Sequence, residues 1–297
     1  MSSKIYFEQP GKKSLRRLMV GAVTKLHHAV APRHATKIAK KVFLTPVRMT
    51  RDVEQPKGLQ QATLATSEGQ VTTYSLGQGP TVLFSHGWSG AASQFFPLME
   101  FVVANGYQAV AFDHIGHGNS HGVRASLPAF IAVTEALLDH FPRCVGIVSH
   151  SMGTVSTIES RHQLAETLPL LLVAPALNYT EGMMQTVHRS GYSMRAFKAV
   201  IDDLGKQYHL PFESVDPLKR LEKGGRPVSI IHDTNDRYAS YPHSELASQL
   251  AHVELVATQG RGHGRILQSE EIFALTTRWL TQLPVNRAPA VDETVCA

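Results

Sequence analysis

The arrangement of apolar and polar positions changes character near residue 60 of this 297-residue chain. Before that point, apolar residues recur at helical spacing with Lys and Arg between them, until Pro32 interrupts the pattern. These apolar residues are Leu15, Leu18, Met19, Ala22, Leu26 and Val30. A second short helix is expected from His34 to Leu44. Residues 1–60 are therefore predicted to form a helical N-terminal arm.

From Gln61 onward, short apolar runs alternate with longer segments of helical pattern. The strands are expected at 62–66, 71–76, 81–84, 108–112, 144–149, 168–173, 228–231 and 253–256. The helices are expected near 91–104, 126–140, 152–165, 241–251 and 265–281. Such alternation is typical of an α/β domain, with a mostly parallel, doubly wound sheet covered by helices on both faces. We assign residues 61–283 to this domain.

Two intervals depart from this alternation. Residues 176–225 have helical character and no good strand, and we interpret them as a cap inserted over the carboxyl edge of the sheet. Residues 284–297 contain Ala288-Pro289-Ala290 and are expected to form a disordered tail.

Charge separates the arm from the rest of the chain. Residues 1–60 hold 13 Lys/Arg and 3 Asp/Glu, whereas the remaining residues hold 16 and 21. An anionic partner would therefore meet the arm, and no nucleic-acid groove is expected in the mildly acidic body. The apolar runs are too short to span a bilayer, and a cytoplasmic location is the default expectation.

The strongest local motif is Val148-Ser149-His150-Ser151-Met152-Gly153, which follows a predicted strand and precedes a predicted helix. It resembles the nucleophile elbow G-x-S-x-G of the α/β-hydrolase superfamily, although Ser149 replaces the first glycine. The tight turn of an elbow exposes the serine oxygen at the edge of the sheet. The alternative interpretation is an ordinary N-cap serine that begins a helix.

Two further motifs resemble the same superfamily of serine esterases and lipases. His86-Gly87-Trp88 resembles its oxyanion-hole loop, and this resemblance implies that the backbone N–H groups of Trp88 and Met152 face the oxyanion. Residues 113–120, Asp-His-Ile-Gly-His-Gly-Asn-Ser, resemble its structural D-x-x-G-x-G-x-S loop, so their histidines receive no catalytic role. The resemblance implies an eight-stranded sheet and no metal or cofactor.

The remaining catalytic residues are expected downstream, because the superfamily has the chain order serine, acid, histidine. Residues 230–237 resemble its G-x-x-D turn, with Asp236 as the acid and Asp233 as the competing carboxylate. His263 stands between two glycines before a predicted helix and resembles the catalytic histidine. The implied chemistry is attack by Ser151 on an acyl carbonyl, with His263 as base and Asp236 orienting its imidazole.

The motifs define the catalytic mechanism more narrowly than the class of substrate. We expect a carboxylic ester, in the manner of an esterase or lysophospholipase, and the lipid character of such substrates suggests a role in lipid metabolism. Thioester hydrolysis, acyl transfer, C–C bond hydrolysis and a non-catalytic ligand-binding role are the alternatives. The expected acyl pocket is lined by five apolar side chains. These are Trp88, Phe95, Phe96, Met183 and Met184.

The arm has two interpretations of equal weight. Its apolar stripe could lie on a membrane surface, with the cations near anionic headgroups and the protein peripheral at the inner membrane surface. Alternatively, the same stripe could pack on the catalytic body.

Overall fold

The computed structural model describes residues 15–49 and 53–284, without the side chain of Arg16. The expected tail therefore lies, apart from Pro284, outside the described residues. None of the helices in the two described ranges is long and apolar enough to span a bilayer.

The described residues contain one eight-stranded sheet. Its strands are β1 (Gln60–Thr66), β2 (Gly69–Leu76), β3 (Thr81–Ser85), β4 (Gln108–Phe112), β5 (Cys144–His150), β6 (Leu170–Val173), β7 (Val228–Asp233) and β8 (Val253–Thr258). Their order in the sheet is β1-β2-β4-β3-β5-β6-β7-β8. The pairs β1–β2 and β2–β4 are antiparallel, and the other pairs are parallel. The prediction of a doubly wound, mostly parallel sheet is confirmed.

Helices connect the strands and make up the described part of the arm and of the interval 176–225, for which we keep the name cap. They are α1 (Leu15–Val30), α2 (Pro32–Phe43), α3 (Phe96–Ala104), α4 (Leu127–His140), α5 (Met152–Glu159), α6 (Gln163–Thr167), α7 (Tyr179–Ser190), α8 (Met194–Tyr208), α9 (Pro217–Lys223), α10 (Tyr241–Ala247), α11 (Gly262–Arg265) and α12 (Glu270–Leu280). Pro32 does end α1, but it also begins α2, because proline fits the first turn of a helix, where no N–H donor is needed.

The helix expected over 265–281 is divided in the structure. A short turn of 3-10 helix follows α11, and Ser269 then begins α12 by accepting a hydrogen bond from the N–H of Ile272. The sequence pattern gave one apolar periodicity across this boundary, whereas the serine cap sets a new helix start.

The order of the strands reverses between β3 and β5. The chain moves from β3 outward to β4, then returns so that β5 pairs with the other side of β3. The loops that leave the carboxyl ends of β3 and β5 therefore diverge and leave a crevice, which is where open α/β sheets bind ligands. The His86 loop and Ser151 follow these two strands.

The arm and the expected cap interval pack together. Phe43 of α2 contacts the rings of Tyr192 and Phe197, with ring centres 4.9 and 5.1 Å apart. Arg48, just after α2, donates to the carbonyls of Gly118, Ser120 and Gly122 on the body. The second half of the arm is thus anchored to both cap and body.

Candidate active site

Ser151 stands on a strained turn between β5 and α5. Its backbone has φ 53° and ψ −121°, a region that costs a residue with a side chain about 1–3 kcal/mol. Ser149 fits the position where the elbow pattern has glycine, because its hydroxyl lies 2.8 Å from the Thr157 hydroxyl in the buried interior. Gly153 allows the turn to close, since a Cβ there would collide with the carbonyl oxygen of Ser85. This local geometry matches the predicted elbow rather than an ordinary N-cap, for Ser151 makes no capping hydrogen bond.

Three side chains predicted from separate motifs form one hydrogen-bonded line. The Ser151 hydroxyl oxygen lies 2.9 Å from Nε2 of His263, and Nδ1 of His263 lies 2.7 Å from Oδ2 of Asp236. A carboxylate only accepts, so Nδ1 carries the proton and Nε2 is free to accept from Ser151. The side chain of Asp236 is fully buried, whereas that of His263 is 16% exposed. The arrangement can deprotonate the serine and stabilise the resulting imidazolium.

The two carboxylates of the turn after β7 have different surroundings. Asp236 accepts from His263 and, through Oδ1, from the backbone N–H groups of Tyr238 and Ala239. Burial alone would raise the pKa of Asp236, but the hydrogen bond from His263 and the close approach of His232 lower it well below its usual range. The group is therefore an ionised acceptor next to His263.

Asp233 serves the loop instead. Its carboxylate accepts from the backbone N–H of Asn235 at 2.9 Å and from that of Arg261 at 2.6 Å. It thereby joins the end of β7 to the loop that carries His263, and among the described contacts it accepts no hydrogen bond from His263 itself.

Two histidines beside this line were missed by the sequence interpretation. Nε2 of His232 lies 3.3 Å from Oδ2 of Asp236, and its Nδ1 lies 2.7 Å from the Ser244 hydroxyl. His150 donates from Nε2 to the backbone carbonyl of His263 at 2.9 Å. The middle position of the elbow could have drawn attention to His150, but no spacing rule identifies His232.

The loop after β3 is held over the nucleophile. A Cβ at Gly87 would lie only 2.7 Å from the Cβ of Ser151, so glycine allows this close approach. His86 accepts at Nε2 from the N–H of His114, hence its Nδ1 donates to the carbonyl of Gly87. Trp88 follows in this loop, and Met152 is the first residue of α5, whose backbone N–H has no acceptor within the helix.

The segment at 113–120 supports the same loop. Asp113 accepts from the backbone N–H groups of Ala92 and Asn119, both at 2.8 Å. His117 accepts at Nε2 from the N–H of Ser89. These contacts agree with the structural role expected for this segment.

A cavity of about 1130 Å³ opens above Ser151 and is larger than the range of about 300–1,000 Å³ typical of ligand pockets. The body, the cap and the arm all contribute to its wall. Its apolar lining includes Phe43, Leu44, Trp88, Leu127, Met152, Met183, Phe197, Val200, Ile201, Leu204, Leu210, Phe212 and Val215. The predicted lining residues Trp88 and Met183 are among them.

The other three predicted pocket residues lie elsewhere. Phe95 and Phe96 are almost fully buried in the core, where they pack on Phe84 and Tyr74. Met184 lines a separate surface depression, because neighbouring residues of a helix point in different directions. Assigning these three side chains to the acyl pocket was therefore wrong.

The charged side chains around the cavity have one sign. Arg17, Arg189 and Arg237 contribute to its wall, whereas no Asp or Glu among the described residues lines it. The side chain of Asp236 is fully buried and does not line the cavity, whereas His263 does. No pattern in the sequence indicated that Arg17 of the arm would lie here.

Comparison with known proteins identifies the family and the fold of this chain. Residues 79–271 match the family described as Serine aminopeptidase, S33. The esterase Pf2001 of Pyrococcus furiosus has a TM-score of 0.60 at 21% identity, covering 81% of this chain and 97% of that one. Est1E of Butyrivibrio proteoclasticus, solved with ferulic acid, has a TM-score of 0.62 at 19% identity, covering 74% of this chain and 98% of that one. The thioesterase domain of the curacin biosynthetic pathway has a TM-score of 0.55 at 16% identity, covering 75% of this chain and all of that one.

At these identities the solved structures establish the shared fold, while the family match spans more than half of the chain. The chain belongs to the Serine aminopeptidase, S33 family and is an enzyme of the α/β-hydrolase fold.

Proposed function

We propose that this enzyme is a serine esterase that hydrolyses acyl esters with an apolar chain. Ser151 attacks the acyl carbonyl as His263 takes its proton, and Asp236 stabilises the imidazolium. The backbone N–H groups of Trp88 and Met152 stabilise the oxyanion. The protonated His263 then gives its proton to the leaving alcohol, and water releases the acid from the acyl-enzyme. The observation that carries the proposal is the continuous hydrogen bonding from Ser151 through His263 to Asp236.

The lining of the cavity favours an ester over a peptide with a free amino terminus. An aminopeptidase must bind the ammonium group of its substrate, and a carboxylate is the usual partner of such a cation. The described cavity wall contains three arginines and no Asp or Glu. The arginines would repel an ammonium group, whereas the apolar wall suits an acyl chain.

Thioester hydrolysis is the second candidate, because the same residues would attack a thioester carbonyl and one structural relative is a thioesterase domain. Acyl transfer and C–C bond hydrolysis use the same nucleophile, while a non-catalytic binding role would leave Ser151 unreactive. A role in lipid metabolism and a cytoplasmic location, peripheral at the inner membrane surface, also belong to this proposal. Their support is the basic arm, which joins the cavity wall through Arg17.

The experiment is hydrolysis of p-nitrophenyl esters of increasing chain length, with the matching thioesters and amino-acid p-nitroanilides in parallel. We expect the esters to be the best substrates and Ser151→Ala to reduce turnover by about 10⁶-fold. Equal turnover by Ser151→Ala, or faster cleavage of the anilides, would contradict the proposal.

A further inference from the structure

The helix α1 turns its apolar side away from the protein. Leu15, Leu18, Met19, Val23, Leu26 and Val30 are each between 59% and 76% exposed. At about 100° per residue, these positions fall on one side of the helix and form a continuous stripe, which we call the α1 stripe. Single exposed apolar residues are normal on protein surfaces, but six in one stripe mark a contact surface.

The opposite side of α1 attaches the helix to the cap. The Thr24 hydroxyl accepts from the backbone N–H of Ser193 at 3.0 Å, and Arg17 donates to the carbonyl of His188 at 3.1 Å. At Gly21 the backbones approach closely, since a Cβ there would lie 3.1 Å from the carbonyl oxygen of Gly191. The helix thus packs through Val20 and through small and polar residues, and the α1 stripe is left outside.

The charge around the α1 stripe selects the kind of partner. No Asp or Glu occurs between Leu15 and Met49. Lys25 of α1 is exposed, and so are Arg33, Lys37 and Lys41 of the following helix. A second copy of this chain, docked through the same face, would bring these cations together, and their repulsion would weaken the dimer. An anionic lipid surface instead accepts apolar side chains among its acyl chains and cations near its headgroups.

We propose that the α1 stripe docks the enzyme on an anionic lipid surface. The docking does not depend on ester hydrolysis, but its consequence for substrate delivery rests on the proposed function. Arg17 projects from the inner side of α1 into the wall of the cavity that contains Ser151. One helix, about 10–12 Å across, would separate the lipid surface from this cavity. An amphipathic acyl ester could then pass from the lipid to the cavity along the edge of α1.

The test is sedimentation of the full chain with vesicles of equimolar phosphatidylglycerol and phosphatidylcholine, compared with phosphatidylcholine alone. We expect binding to the anionic vesicles at low salt and weaker binding at high salt, because salt screens the contribution of the cations. The double variant Leu18→Gln with Leu26→Gln should partition about tenfold or more weakly. Leu246→Gln, at another exposed leucine on α10, is the matched control and should bind like the wild type.

Several results would overturn the proposal. One is wild-type protein that stays in the supernatant at low salt, and another is a double variant that binds as strongly as the wild type. The third is light scattering without vesicles that shows a dimer for the wild type and a monomer for the double variant, since the α1 stripe would then be a dimer interface. Ser151→Ala must bind vesicles as the wild type does, so a failure of docking is distinguished from a failure of the proposed chemistry. If the wild type docks and hydrolyses esters, the double variant should lose activity on long-chain esters embedded in vesicles. It should keep its activity on a soluble short-chain ester.

Discussion

Nε2 of His232 lies 3.3 Å from Oδ2 of Asp236, the same carboxylate oxygen that accepts the hydrogen bond from His263. The Ser244 hydroxyl can donate to Nδ1 of His232, so the proton of the neutral ring can sit on Nε2, which lies beside the carboxylate of Asp236 without the alignment of a hydrogen bond. The side chains of His232, Ser244 and Asp236 are all buried. A second histidine ring therefore lies against the acid and limits the room in which its carboxylate can move.

We expect His232 to act as a positioning residue for the acid. His232→Leu removes the ring nitrogen that lies 3.3 Å from Oδ2 of Asp236 and should lower kcat by about 10–100-fold, as loss of a polar contact that orients a catalytic group does. His232→Gln keeps an N–H donor near the Nε2 position and should retain more of kcat. KM should stay unchanged in both, because His232 does not line the described cavity. Equal kcat in the two variants and the wild type would contradict this role.

Substitution of Asp236 and of Asp233, the two carboxylates after β7, should affect turnover to different extents. Asp236→Asn should reduce turnover by about 10⁴-fold, because the amide favours the wrong tautomer of His263. Asp233→Asn weakens hydrogen bonds from the backbone of Asn235 and Arg261, so it should lower the melting temperature and reduce turnover much less. Steady-state kinetics and thermal unfolding of both variants decide the matter. A larger loss of turnover in Asp233→Asn would show that the acid was assigned to the wrong residue.

Neighbouring methionines of α7 offer a matched pair for the acyl pocket. Met183 lines the cavity, whereas Met184 lines the separate depression. Met183→Ala enlarges the cavity and should shift the preference among p-nitrophenyl esters toward longer chains. Met184→Ala should leave the preference unchanged. Identical chain-length profiles for Met183→Ala and the wild type would remove this side chain from the acyl site.

Acid should destabilise the fold through its buried histidines. Burial lowers the pKa of His86 to about 4 and, with nearby histidines contributing, lowers the pKa values of His117 and His150 to about 3. In the unfolded chain these groups titrate near pH 6.5, so from about 6.5 down to their folded values only the unfolded state gains protons. Each histidine then decreases the free energy of unfolding by up to about 1.4 kcal/mol per pH unit.

Urea unfolding at pH 6 and pH 5 measures this effect. We expect the free energy of unfolding to fall by about 3–4 kcal/mol from these three groups, with the carboxylates contributing only at lower pH. The variant His140→Asn, at an exposed histidine, should give the same pH dependence as the wild type. A flat profile between pH 6 and pH 5 would show that the three rings are protonated in the folded state.

The sheet and the elbow were predictable because their signals are local. Buried strands require runs of apolar residues, and the elbow requires a small residue at position 153, where the structure brings the carbonyl of Ser85 close. The order serine, acid, histidine then identified Asp236 and His263 by their positions after strands.

Other features depend on tertiary packing that no local pattern encodes. Phe95 and Phe96 are apolar, as both a core and an acyl pocket require, and the sequence could not distinguish the two locations. The sequence predicted the helical period of α1 but not the side that faces the protein. That side is set by the close approach at Gly21 and by hydrogen bonds to the cap. The contact of His232 with Asp236 arises from the curvature of one turn.

Covalent labelling tests the central claim, that Ser151 is an activated nucleophile, most directly. The wild-type enzyme is treated with a fluorophosphonate, and the adduct is located by mass spectrometry of its peptides. We expect one adduct per chain, on Ser151, with no adduct in Ser151→Ala and much slower labelling in His263→Ala, which lacks the general base. An unlabelled wild-type protein, or an adduct at a serine other than Ser151, would contradict the account.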